Sequence, residues 1–304
     1  MERLEHKALL DAQVHFGHLK RKWNPKMLPY IFGEKKGIHI IDLNRTSDKL
    51  EEAAQAAKAI ARSGRKILFV ATKKQAKEVV KEAAKRVGMP YVTERWLGGM
   101  LTNFSTIRKS IKKMQNIEKM LEDGSLESAT KKEKLVLTRE KEKMEKVLGG
   151  VSAMNRVPAA LFLVDIMHEN ISLKEAQRLN VNTIGIVDTN SDPTKVDFAI
   201  PGNDDAAKSI QILTNYIADA IAEGLAERSA SQEGVDGETE EEIQERNRYE
   251  AELAEEEGGG GKKDGDRGNN RGGGLKKRGS GSGPAGGGNR PRTRSGTGGP
   301  KKTV

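Results

Sequence analysis

The sequence predicts an α/β fold: a parallel sheet covered by helices on both faces, with a helical hairpin protruding from it. Three observations carry this. Short apolar runs at residues 67–71, 160–164 and 183–187, the first of them wholly apolar, read as strands of a buried parallel sheet. Helical periodicity lies between such runs, and strand–helix alternation is the pattern of a parallel sheet. Residues 96–150 then interrupt the alternation with a Gly-rich approach and two strongly basic helical segments.

The elements follow in order. Residues 3–14 read as a short helix with Leu4, Ala8, Leu9 and Ala12 along one side. A basic irregular segment runs from His18 to Met27. The apolar runs 30–32 and 38–41, with Gly33 and Gly37 between them, read as a strand pair or a bend into the first core strand. A helix starts within residues 42–47; Leu50, Ala53, Ala54, Ala57 and Ile60 form its apolar face, and Gly64 stops it. After the strand at 67–71, a helix at 75–87 spaces Ala76, Val79, Val80, Ala83 and Val87 for packing. Another short strand begins at Pro90, and a helix at 173–179 separates the last two apolar runs. A long helix at 210–225 closes the domain. Asp165 and Asp188 each follow a strand, at the edge where such sheets bind ligands. A helix cap or a loop hydrogen bond places an Asp there equally well.

In the hairpin, Ile107, Ile111, Met114, Ile117 and Leu121 form one seam. Leu137, Met144 and Leu148 form the other, with Lys141 at the intervening position. Such seams pack as an antiparallel coiled coil, and Lys141 can lay its stem along the seam with its ammonium in water. Asp123-Gly124-Ser125 is the expected turn. The outward faces carry Arg108, Lys109, Lys112, Lys113 and Lys119, then Lys131, Lys132, Lys134, Arg139, Lys143 and Lys146. A long charged helix needs no partner, so simple solubility competes with contact to a polyanion.

Charge is distributed unevenly. Residues 1–230 carry a net +9, residues 231–257 a net −10 and residues 258–304 a net +10. The first block points to a polyanionic partner. With no Cys, disulfides, thiol chemistry and Cys-type zinc sites are excluded. No apolar run approaches the length of a membrane span. Glu2, Arg3, Glu5, His6 and Lys7 mark the start as amphipathic and unlike a signal peptide, so a cytoplasmic location is expected. The expected organisation is an α/β domain over 1–228 that includes the hairpin at 103–148, an acidic and partly helical linker at 229–257, and a Gly/Arg-rich tail at 258–304. That tail holds 18 Gly in 47 residues and lacks the apolar area to offset its ordering cost, so disorder is expected.

Each class of site has a competing plain reading. Gly98-Gly99 before the hairpin offers backbone N–H groups to a phosphate, but no P-loop and no dinucleotide fingerprint is present, and tight turn geometry over Trp96 serves as well. Thr102 or Asn103 is placed to cap the next helix. His15 and His18 are three apart in basic surroundings, a poor zinc pair. Asp188, Asp192, Asp197, Asp204 and Asp205 crowd around Pro193, Pro201 and Gly202; among them Asp188, Asp192 and Asp205 are weak candidates for Mg²⁺, against a loop-stabilising hydrogen-bond network. No nucleophile is paired with a base, so no enzyme is expected. Lys20, Arg21, Lys22 and Lys26 surround Trp23; the cations suit phosphates, and an exposed Trp stacks on an unpaired base unless it anchors the loop.

The motifs together resemble one family, the bacterial small-subunit ribosomal protein S-two. They are Val14-His-Phe-Gly-His18, Trp23-Asn-Pro-Lys-Met27, Pro29-Tyr-Ile-Phe-Gly33 and Ile38-His-Ile-Ile-Asp-Leu43, followed by Arg95-Trp-Leu-Gly-Gly-Met-Leu-Thr-Asn-Phe104, Gly149-Gly150, Ile186-Val-Asp-Thr-Asn-Ser-Asp-Pro193 and Ile200-Pro-Gly-Asn-Asp-Asp205. The resemblance spans residues 1–228. It implies a three-layer, flavodoxin-like sheet domain with an inserted coiled-coil hairpin. It also implies a structural protein that binds small-subunit ribosomal RNA near the head–body junction, joins late in assembly and helps dock ribosomal protein S-one. Mapped onto this chain, the implied RNA contacts are Lys20, Arg21, Lys22, Trp23, Lys26, Arg95, Trp96, Asn103, Arg108, Lys109, Lys112, Lys113, Lys131 and Lys132. No cofactor is implied beyond structural Mg²⁺ shared with the RNA. The implied partners are that RNA and neighbouring ribosomal proteins, with no membrane and no free homo-oligomer. Two features depart from the family: Ser191 stands where a Cys is common, and the tail after residue 228 is long. The alternative is an adaptor whose hairpin presents Met114 or Met144 to a partner protein.

Overall fold

Residues 3–123 and 130–233 are described by this computed structural model. They run α1 (His6–Asp11), β1 (Phe16–Leu19), β2 (Ile31–Lys35), β3 (Ile38–Ile41), α2 (Leu43–Arg62), β4 (Ile67–Val70), α3 (Lys77–Arg86), β5 (Tyr91–Val92), α4 (Phe104–Glu122), α5 (Lys131–Leu148), β6 (Ala160–Val164), α6 (Asn170–Arg178), β7 (Asn182–Val187), β8 (Phe198–Pro201) and α7 (Ala207–Glu233). The five-stranded sheet is parallel throughout, in the order β5-β4-β6-β7-β8. That is the flavodoxin-like order, with its reversal point between β4 and β6.

The period of two along an apolar strand explains the three layers. Ile67 and Phe69 of β4 join Ala160, Phe162 and Val164 of β6 in one apolar cluster, with residues from α2, α3 and α7. Leu68 and Val70 join Leu161 and Leu163 in a second cluster on the opposite face, with α6, the base of the hairpin and the segment from Trp96 to Leu101. Because both faces of each strand must be dry, the strand sequence shows no polar alternation.

α2 starts where the Asp42 carboxylate accepts the Asn44 N–H at 2.9 Å, and ends before Gly64, whose φ is +74°. Its buried Ala53, Ala54, Ala57 and Ala61 keep its surface low, so α7 lies close against it. At the crossing, a Cβ on Gly224 would sit 2.5 Å from the Lys58 carbonyl oxygen.

Several boundaries differ from expectation. The first helix is α1 alone, six residues long, because the chain reverses at Gln13 (φ +62°) to bury Val14. The start of the basic segment is not irregular: β1 pairs antiparallel with β3, and β2 pairs with the other side of β3 across the Lys36-Gly37 turn. Both turn residues have positive φ, as a tight hairpin turn demands. The Asp-rich stretch contains a fifth core strand, β8, which is too short to register as an apolar run. α7 extends beyond its expected end. The expected turn at residues 124–125 and the linker and tail from residue 234 onward lie outside the described residues.

Candidate nucleic-acid interface

The hairpin seam forms as its spacing dictates. Ile107, Ile111, Met114 and Ile117 are buried against α5, where Leu148 is buried and Leu137 and Met144 are half-buried. Met114 and Met144 are therefore seam residues, and among the described residues the exposed large apolar side chains of the hairpin are instead Met120, Leu135 and Val136. Lys141 occupies its seam position by laying its ammonium 2.7 Å from Glu118. Hydrogen bonding to that carboxylate raises its pKa. Thr130 and Glu133 close a capping box at the start of α5. With the seam closed, Arg108, Lys109, Lys112, Lys113, Lys131 and Lys132 all face solvent. Lys113 is tied to Glu140 at 2.5 Å; the other five make no ion pair among the described residues.

The Gly-rich approach to the hairpin is organised around one buried carboxylate. Glu175 of α6 accepts the Trp96 indole N–H at 3.1 Å and the Gly99 N–H at 2.7 Å on Oε1. Its Oε2 accepts Leu101 N–H at 3.0 Å, Thr102 N–H at 3.2 Å and the Thr102 hydroxyl at 3.3 Å. Burial pushes this carboxyl upward, but the hydrogen bonds from Trp96 and the Leu101, Gly99 and Thr102 amides outweigh it and hold it below the ordinary range. The loop is an anion receptor whose anion is internal. The Gly99, Leu101 and Thr102 N–H groups are therefore not open to a phosphate, and Trp96 is a core residue with no free stacking face. Arg95 and Asn103 on either side are exposed. Asn103 occupies the N-cap position of α4, where its side chain accepts the Thr106 hydroxyl at 2.8 Å.

The basic loop lies over the same sheet face. Buried Met27 belongs to the apolar cluster of Trp96, Met100 and Leu101. Asn24 N–H bonds the Thr189 carbonyl at 2.7 Å, and Lys26 reaches Asp192 at 2.8 Å. Lys20 is held by Glu34 at 2.6 Å, whereas exposed Arg21 and Lys22 have no ion pair among the described residues. Trp23 is half-buried and leans on His39. One layer of the fold thus carries both the loop and the root of the hairpin.

At the carboxyl edge of the sheet, where open α/β folds take ligands, this chain builds an ion-paired corner. Lys73, after β4, lies 3.4 Å from Asp165, 2.8 Å from Asp204 and 2.6 Å from Asp205. His18 Nδ1 lies 2.9 Å from buried Asp188, and its Nε2 is 3.5 Å from Asp205. The Asp188 hydrogen bond raises the His18 pKa against the opposing effect of burial. Burial and the charges of Asp188 and Asp165 push Asp204 up to about 7, against the pull of Lys73. β1 comes so near that a Cβ on Gly17 would meet the Thr189 side chain at 2.5 Å.

Of the three acids expected near a cation, Asp188 and Asp205 converge here. Asp192 does not, being engaged by Lys26 and Thr194. His18, Asp188 and Asp204 can each offer one ligand atom, all within 4.8 Å of one another. One imidazole nitrogen among the donors is a poor match for Mg²⁺, which prefers oxygen. Glu175 and Lys73 were not singled out from sequence, since nothing local marks a lone acid or Lys as the centre of a remote network; Asp204 stood out only as one of five crowded acids.

Comparison with known proteins agrees with this architecture. The family model described as "Ribosomal protein S2" matches residues 9–224. Small ribosomal subunit protein uS2 of Cytophaga hutchinsonii is 63% identical over 227 residues, 75% of this chain and 89% of that protein. The uS2 of Parabacteroides distasonis is 55% identical over 248 residues, covering 82% and 88%, and that of Porphyromonas gingivalis strain ATCC 33277 is 57% identical over 230 residues, covering 76% and 82%. No helix among the described residues is long and apolar enough to cross a membrane. The chain belongs to the ribosomal protein S2 family, whose members are structural proteins of the small ribosomal subunit and not enzymes.

Proposed function

We propose that the chain is a scaffold for folded RNA: it binds small-subunit ribosomal RNA near the head–body junction through phosphates and performs no reaction. The observation that carries this is the set of exposed cations that form no ion pair among the described residues. Arg21 and Lys22 lie in the loop, Arg95 beside the hairpin root, and Arg108, Lys109, Lys112, Lys131 and Lys132 on the hairpin. Unpaired cations on a rigid support release counterions on meeting phosphate, whereas paired ones must first break a bond. Entry late in assembly and the docking of ribosomal protein S-one rest on the family resemblance alone. No cofactor is proposed beyond Mg²⁺ shared with the RNA, since the Lys73 ammonium already lies against Asp204 and Asp205 in the corner beside Asp188.

A protein contact on the hairpin has its own support, since Leu135 and Val136 are 50% and 55% exposed. Cross-linking on native subunits separates the readings. RNA adducts at residues 18–26 and 96–148 support scaffolding. Protein adducts alone at the hairpin would favour the adaptor.

A further inference from the structure

His39 on β3 is 7% exposed, and neither of its ring nitrogens has a hydrogen-bond partner among the described residues. Buried polar atoms are nearly always paired, and each one left bare carries an unrecovered desolvation cost. The ring beside it is Trp23, with centroids 5.1 Å apart and planes inclined at 45°. Trp23 is half-buried and directly follows the exposed turn Lys20–Lys22. Glu34 is the cross-strand partner of His39, so the two side chains share a face, and Lys20 is bound to Glu34. An unsatisfied imidazole thus lies against an indole inside a basic loop.

We propose that Trp23 and His39 form a receptor for one unpaired base of RNA. Trp23 moves aside and stacks on the base, His39 hydrogen-bonds the base edge, and Arg21 and Lys22 hold the flanking phosphates. The inference rests on the RNA-binding reading above and adds to it the state of the nucleotide and the two residues that read it. A neutral imidazole offers one donor and one acceptor. An unpaired base presents both kinds of group on its edge, whereas paired RNA buries them in its helix. The bare nitrogens are a cost in the free chain that a bound base removes. Trp96 cannot serve in the same way, because its indole N–H belongs to Glu175.

With only two tryptophans in the chain, one of them in the core, emission can be assigned. Full-length protein is titrated with a dye-labelled single-stranded oligouridylate, an oligoadenylate and a fully paired RNA hairpin of equal length. Anisotropy reports binding and tryptophan emission reports Trp23. The expected result is saturable quenching and protection from iodide with single strands, in step with anisotropy. W23F should abolish the quench while keeping a stacking ring, and W23A should weaken single-strand binding by about 5- to 150-fold, the range of one base–aromatic stack. H39F, which fills the same space without nitrogen, should keep the quench and lose any discrimination between the two single strands.

Anisotropy change without quenching or iodide protection of wild-type protein overturns the receptor while leaving RNA binding intact. Equal quenching by the paired hairpin also overturns it. No anisotropy change with any RNA overturns the RNA-binding reading and the receptor together. The wild-type measurements need no variant to fold.

Discussion

The indole N–H of Trp96 lies 3.1 Å from Oε1 of Glu175, and this bond closes a loop that would otherwise present its amides to solvent. Replacing Glu175 by Gln puts an amide NH₂ among donors, so E175Q should lose about 2–4 kcal/mol in urea denaturation at neutral pH. The sign of the pH effect follows from the lowered pKa of the carboxyl. Its stabilisation is present above the unfolded value of about 4.3 and is lost as pH falls through the lower folded value. The acid limb of the stability profile should therefore be shallower in E175Q than in the parent. An unchanged limb would show that Glu175 does not carry that dependence.

Lys113 differs from its neighbours because Glu140 already holds it. Arg108, Lys109, Lys112, Lys131 and Lys132 changed together to Ser should lower occupancy in purified subunits while the thermal midpoint of the isolated protein stays close to that of the parent. Each phosphate contact removed should reduce the log–log salt slope of RNA binding by about 0.7–0.9. Lys113→Ser alone should reduce it by less than Lys112→Ser alone. Equal slopes would mean that intrahairpin pairing does not decide which cations meet RNA.

Lys73 compensates three carboxylates at once. K73M should cost about 3–5 kcal/mol, the range for stranding buried charge. Asp204 already has a folded pKa raised to about 7, so its neutral form is the one the fold favours. Its contribution to stability is present below the unfolded carboxylate range and is lost as pH rises towards 7. Without Lys73 that loss deepens, so the deficit of K73M should be smaller at pH 5 than at pH 8, read by denaturation at both.

Gly224 marks the closest approach of α7 to α2, with the Lys58 carbonyl 2.5 Å from where a Cβ would stand. G224A should destabilise the sheet domain by about 1–3 kcal/mol by forcing the helices apart, despite the better helix propensity of Ala. A gain in thermal midpoint would refute the tight crossing.

Much of the architecture was legible from pattern. Ile67 to Val70 and Ala160 to Val164 are apolar without alternation, which only a doubly covered strand requires. The steps from Ile107 to Ile117 specified the hairpin seam for the same local reason. β8 escaped because Phe198 to Pro201 is short and acquires its strand identity only beside β7. Sequence named both Trp96 and Trp23 as RNA contacts, yet one is locked to Glu175 and the other lies against His39.

By itself the amino-acid order determined the layers, the protruding seam and the excess of positive charge, because each follows from periodicity or composition within one segment. Only the tertiary structure decided which cations are spent on carboxylates, which loop amides are already satisfied and which imidazole is left bare. Those are pairings between residues as far apart as His18 and Asp188, and no local pattern records a partner that the chain meets only after folding.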